Sequence, residues 1–230
     1  VIKNKIENKE IGSLLYSVVE YSQKKIIPTK IFKSWSNKTN VFQYLGVHYV
    51  DLIYFFTRFK PVSVKAWGQK EFLKSKKINN WDSIQVTIEW LKPNGKIFVS
   101  NHISSWIDPN NSSAMSDQKI TIVGTKGKII SDQKNRGLQV VNDTKYVQDI
   151  NPYFTSLTNF SNYKDPYFFG YGIESVREFI INVTKIIENK INYKFFLKNN
   201  RSFKESLVST LIIESVNKSL KTKKTQKIRL

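Results

Sequence analysis

Tyr44, His48 and Asp51 are spaced four and three residues apart, which lines them up along one stripe if the segment is helical. An imidazole is the side chain best suited to take and give a proton near neutral pH. A carboxylate one turn further on can fix its tautomer or sustain its charge. A phenol one turn earlier can hydrogen-bond a hydroxyl, but it is no carboxylate at neutral pH. Gly46 removes a side chain two positions before His48 and lets a ring approach the backbone. The same spacing also suits a structural pair, with His48 and Asp51 satisfying each other inside a buried helix. Spacing alone leaves both roles open.

The elements that must carry these residues follow from apolar periodicity. Asn40 is a plausible cap for a helix over Val41 to Arg58, apolar nearly all round and therefore expected to be buried, with Pro61 ending it. A strand over Ile11 to Gln23 precedes it, joined by a polar connection that holds Pro28 and Trp35. Val62 to Phe72 reads as the next strand. Ile84, Val86, Ile88 and Trp90 alternate with polar residues at a period of two. Lys92-Pro93-Asn94-Gly95 is a turn, and Ile97 to Ser105 returns. Short strands follow over Lys119 to Val123, Lys128 to Ser131, Leu138 to Val141 and Tyr146 to Gln148. An aromatic-rich loop is expected over Asn151 to Phe169; its tyrosines and phenylalanines serve to anchor it or to line a sugar pocket. Helices close the chain at Ile173 to Glu188 and Ser202 to Leu220, the second opening on a Ser202–Glu205 capping box. The fold class is α+β: an open, mostly antiparallel sheet with helices packed on one face. No boundary stands out, so residues 1–230 are expected to form one domain.

The stretch Gln43-Tyr-Leu-Gly-Val-His-Tyr-Val-Asp51 resembles the hallmark helix of the Gfo/Idh/MocA oxidoreductases, relatives of glucose-fructose oxidoreductase and inositol dehydrogenase. Trp35 matches a tryptophan often found before that helix. Asn94-Gly95 resembles the family's central hairpin, Ile122 to Ile129 its Gly-Thr-x-Gly turn, and Ile213 to Ser219 its last helix, which leads to a short final strand at Gln226 to Leu230. The resemblance implies a substrate-side C-terminal domain, with NAD or NADP held mainly by a separate nucleotide-binding half. It implies a sugar, sugar derivative or cyclitol as substrate. It casts His48 and Asp51 as catalytic and Tyr44, Trp35 and Asn40 as substrate-binding. It suggests that a second subunit covers the free sheet face, as a homodimer or tetramer. One departure is Tyr44, where many members carry aspartate.

No Gly-rich dinucleotide loop is present. Gly170-Tyr-Gly172 is half a fingerprint, with Ser175 in place of the third glycine, no strand expected before it, and a plainer reading as a loop entering a helix. Met115 is the only methionine, so the chain lacks an initiator and reads as a fragment. The alternative is a standalone ligand-binding or assembly module without catalysis.

Composition removes several classes. There are no cysteines, which excludes disulfides, thiolate metal sites and a cysteine nucleophile and suits a cytoplasmic location. His48, His102 and the scattered acids show no metal-site spacing; His102 reads as a sheet residue. No apolar run is long enough to span a bilayer. The net charge of +19 could mark a polyanion-binding surface. The lysines are spread along the whole chain and arginines are few, which argues against specific nucleic-acid recognition and leaves a general attraction for anionic ligands open.

Overall fold

The computed structural model describes residues 1–133, 137–143, 145–150, 155–158, 167–170, 172–194, 196 and 203–229. In order these form α1 (Ile2–Glu7), β1 (Leu14–Lys24), α2 (Val47–Thr57), β2 (Lys60–Gln69), α3 (Phe72–Ser75), β3 (Ser83–Leu91), β4 (Ile97–Asp108), β5 (Ser116–Gly124), β6 (Gly127–Asp132), β7 (Gly137–Asn142), β8 (Lys145–Ile150), β9 (Thr155–Thr158), β10 (Tyr167–Gly170), α4 (Ile173–Ile187), α5 (Phe203–Thr222) and β11 (Gln226–Lys227). Residues cluster into two compact units, one of Val1–Ile150 with Ser206–Leu230 and one of Asn151–Glu205.

The first unit holds a nine-stranded sheet in the order β11-β2-β3-β4-β1-β5-β6-β7-β8. Every neighbouring pair is antiparallel except β1 with β4. The architecture is thus the expected α+β one, an open and mostly antiparallel sheet. The alternation in β3 is realised directly: Ile84, Val86, Ile88 and Trp90 are all buried. They lie in one core with Phe42, Leu45, Val50 and Ile53 from the α2 region and Val208, Ile212 and Val216 from α5. The opposite face is open, with Tyr16, Trp67, Leu91, Ile97 and Ile103 exposed. The β3–β4 turn forms as read, Gly95 taking φ +77° and its N–H donating to the Lys92 carbonyl at 3.0 Å.

Because β1 and β4 run parallel, their C-terminal ends share one edge of the sheet, where Lys24 stands opposite Asp108. The end of β2 and the starts of β3 and β5 reach that edge too. Asp82, just before β3, ties it together. Its carboxylate accepts the backbone N–H groups of Glu71, Phe72 and Leu73 at 2.6, 2.7 and 2.8 Å. Its carbonyl accepts Trp106 N–H at 2.9 Å. This is why Phe72 starts a short helix instead of ending β2.

The helix expected over Val41 to Arg58 begins as a π-helical turn, Phe42–Gly46, before α2 proper. Arg58, at φ +55°, ends it before Pro61, which lies buried in β2. The helix is not buried all round: Val41, Phe42, Leu45, Tyr49, Val50 and Ile53 face the core, while Gln43 and His48 are exposed. The sheet covers only one side of it. The ring that Gly46 admits is the protein's own. A Cβ there would sit 2.4 Å from Cδ2 of Phe42, whose ring is fully buried and stands edge-on to His102 at 5.8 Å. Gly46→Ala should therefore lower stability by about 2 kcal/mol or more in urea unfolding, through forced repacking of Phe42.

His102 is a sheet residue, as read. It is buried in β4, its Nε2 2.9 Å from Ser100 Oγ, which also accepts Trp90 Nε1–H at 2.8 Å. Burial pushes its pKa down from 6.5 to about 3. The folded chain thus keeps the ring neutral, whereas the unfolded chain takes up a proton once pH falls below 6.5. From this group stability is level above pH 6.5 and falls as pH drops toward 3, by about 1.4 kcal/mol per unit. His102→Leu should remove that slope. Between pH 6.5 and 4.5 the stability difference should move by about 2 kcal/mol in favour of the variant, read by urea titration at both pH values.

The second unit holds a two-stranded hairpin of β9 and β10 followed by α4. The expected loop over Asn151 to Phe169 therefore contains strands. A strand does precede Gly170-Tyr-Gly172, and it pairs antiparallel with β9. Tyr153, Phe154, Tyr163, Tyr171 and the Ser202 cap lie outside the described residues.

Candidate active site

The shared sheet edge carries the residues that the sequence singled out. Asn40 opens the helix: its Oδ1 accepts Gln43 N–H at 2.9 Å, and its Nδ2 donates to Asn217 Oδ1 of α5 at 2.7 Å. It is a cap and a tie between two helices. The loop before it is held from the other side by Asn80, which is buried and donates to the Ser36 and Thr39 carbonyls. The residues just after Trp35 are thereby fixed.

Tyr44 leaves the π turn into an aromatic cluster. Its ring meets Trp35 edge-on at 5.2 Å and Phe32 at 5.6 Å, and Trp106 at a tilt at 5.8 Å. Trp35, 38% exposed, forms the outer wall. One turn on, His48 is exposed, with its ring 6.3 Å from that of Tyr21 on β1. Asp51, half-buried, follows on the same side. His48 is exposed, whereas the structural alternative placed it inside a buried helix. Tyr49 is buried in the core and meets the same Tyr21 ring edge-on at 5.8 Å. Burial, and then the proximity of Tyr21, Asp117 and Asp132, hold its phenol above its ordinary pKa, so it stays protonated and serves packing.

Of the residues singled out in the sequence, Trp35 and Tyr44 meet each other and His48 meets Tyr21; Tyr21, Phe32 and Trp106 were not singled out. Phe32 stands three residues before Trp35, a spacing that could have flagged it. Tyr21 and Trp106 reach the site only through strand pairing, which no local pattern reveals. Among the described residues no group of three or more His, Cys, Asp or Glu side chains is placed to hold a metal ion, and no helix is long and apolar enough to cross a membrane.

The profile of the GFO/IDH/MocA C-terminal domain matches residues 1–130, over half of the chain.

The chain belongs to the GFO/IDH/MocA C-terminal domain family.

Solved GFO/IDH/MocA-type oxidoreductases share the fold. An oxidoreductase domain protein from Kribbella flavida aligns with a TM-score of 0.70 at 17% identity, over 100% of this chain and 62% of that one. A myo-inositol 2-dehydrogenase from Lactobacillus plantarum gives 0.59 at 13%, over 99% and 60%. A scyllo-inositol dehydrogenase from Lactobacillus casei, with NAD(H) and scyllo-inositol bound, gives 0.61 at 11%, over 98% and 59%. The chain thus spans about three fifths of the length of these structures. No curated protein sequence matches it.

Proposed function

We propose that this chain is the substrate-side part of an NAD(P)-dependent oxidoreductase acting on a hydroxyl of a sugar, sugar derivative or cyclitol. The observation that carries the reading is His48: an exposed imidazole on the family's helix, beside an aromatic wall and at the shared edge of the sheet. The cofactor's part is to accept or return the hydride. The nucleotide is held mainly by a separate domain.

His48 takes the proton from the reacting hydroxyl, or returns it in the reverse direction. Asp51, one turn away, orients the imidazole. Trp35 packs against the apolar face of the substrate ring, and the Tyr44 phenol hydrogen-bonds a neighbouring hydroxyl. Asn40 holds the start of the helix so that these groups keep their spacing. The exposed sheet face of Tyr16, Trp67, Leu91, Ile97 and Ile103 is the surface through which copies associate.

The chain has two histidines, one exposed and one buried, which gives a clean test. In an NMR titration with scyllo-inositol, myo-inositol and glucose at tens of millimolar, the His48 ring signals should shift with at least one polyol while those of His102 stay in place. A His48 signal that is unmoved by the whole panel would sink the reading.

A further inference from the structure

His48 is exposed, and an exposed side chain samples several staggered χ1 wells unless a neighbour restricts it. Proton transfer needs the opposite: one ring nitrogen held toward one place. The helix alone gives little help, since α2 starts directly after the π-helical turn Phe42–Gly46, a break in its regular register. Phe32, Trp35 and Trp106 gather on Tyr44, one turn before His48.

The ring that reaches His48 comes from the sheet. Tyr21 lies on β1, an interior strand of the nine-stranded sheet. It stands opposite Ser104 of β4 on one side and Gln118 of β5 on the other, so its backbone is tied from both directions. Val19 and Gln23, two residues to either side and on the same face, are buried. The Tyr21 ring meets two consecutive residues of α2. It lies 6.3 Å from the His48 ring at a tilt of 45°, and 5.8 Å from the Tyr49 ring, edge-on at 80°. Successive side chains of an α-helix point about 100° apart. A ring that touches both fills the angle between them and opposes rotation of the helix about its axis. The two contacts differ in kind. Tyr49 is buried in the core and braces Tyr21; His48 is exposed and finds in Tyr21 a fixed wall on its sheet side.

We propose that Tyr21 is a positioning residue for His48: wedged between His48 and Tyr49, its ring confines the imidazole to one rotamer. The proposal rests on the reading above for what the imidazole does, and is independent of it for how the imidazole is held. The Tyr21 hydroxyl has no part in it, so phenylalanine should serve as well as tyrosine.

The test begins with NMR on the chain. In the wild type His48 should show two unequal Hα–Hβ couplings, the mark of a single χ1 well on a helix, and a nuclear Overhauser effect between its ring and that of Tyr21. Both should persist in Tyr21→Phe. In Tyr21→Leu the couplings should converge to an average, while the ring signals of His102, the other histidine of the chain, stay in place. Averaged couplings in the wild type overturn the proposal, and that measurement stands even if Tyr21→Leu misfolds. A single rotamer retained in folded Tyr21→Leu also overturns it, since Asp51 and the helix would then suffice. So does a shift of His102 together with His48, which would make Tyr21 a general packing residue.

In an enzyme completed by a nucleotide-binding domain, Tyr21→Leu should lower kcat by about three- to sixfold with KM unchanged. Three χ1 wells and two ring orientations then replace one productive state, and every state still binds. Tyr21→Phe should match the wild type within about twofold. An equal loss of kcat in both variants assigns the role to the hydroxyl and overturns the proposal, as does full turnover in Tyr21→Leu. If the NMR results hold while the completed wild-type enzyme oxidises no sugar, the oxidoreductase reading falls and the positioning of His48 by Tyr21 stands.

Discussion

Replacing His48 by asparagine, in an enzyme completed by a nucleotide-binding domain, should lower kcat by about 100-fold or more while KM stays within a few fold. Asparagine keeps a polar atom near the position of the imidazole Nδ1, so ring binding against Trp35 and Tyr44 is largely retained. It cannot exchange a proton near neutral pH. The interaction it removes operates on the hydroxyl as its proton leaves, so the loss belongs to kcat. The exposure of His48 makes this a sharp test, because nothing in the core depends on the ring. The variant should unfold at the same urea concentration as the wild type. Turnover within about threefold of wild type would remove His48 from the chemistry.

Asp82→Ala should be among the most damaging substitutions for stability, at about 3–5 kcal/mol by urea unfolding. The carboxylate is buried, at 3% exposure, and accepts three short N–H bonds from consecutive residues. Removing it orphans all three donors at once, where burial denies them full compensation by water. Asp82→Asn should recover only part of the loss, since its amide NH₂ turns toward a donor. The damage should spread to the site, because the Asp82 carbonyl also positions Trp106 beneath Tyr44. A loss below about 1 kcal/mol would mean that water replaces the carboxylate and that the edge is looser than these distances indicate.

Most strands were legible because their signal is local. In β3 the period of two places every second side chain on one face, and the face with Ile84, Val86, Ile88 and Trp90 can only be the buried one. The Lys92–Gly95 turn was legible for the same reason: Gly95 supplies a positive φ that other residues resist. The helix carrying His48 was legible as a helix, but its apolar composition concealed which side would be covered. Trp35, Tyr44 and His48 were expected together because they sit on one short stretch. Tyr21 and Trp106 were not, because β1 meets β4 across some eighty residues of intervening chain, and Ser22 finds Asp108 only through that pairing. Asp82 likewise gave no warning. An acid before a strand is ordinary until three N–H groups converge on it.

Side-chain type and spacing were enough to establish an α+β chain with an imidazole, a phenol and a carboxylate on successive turns of one helix, because backbone geometry converts spacing into direction without reference to the rest of the molecule. Whether that imidazole would meet solvent or core, and which strand would bring an aromatic ring up beside it, depended on how β1 joins the sheet. That join is set by burying apolar surface between residues far apart in the chain, a contribution that belongs to the packed whole and has no counterpart in any single segment.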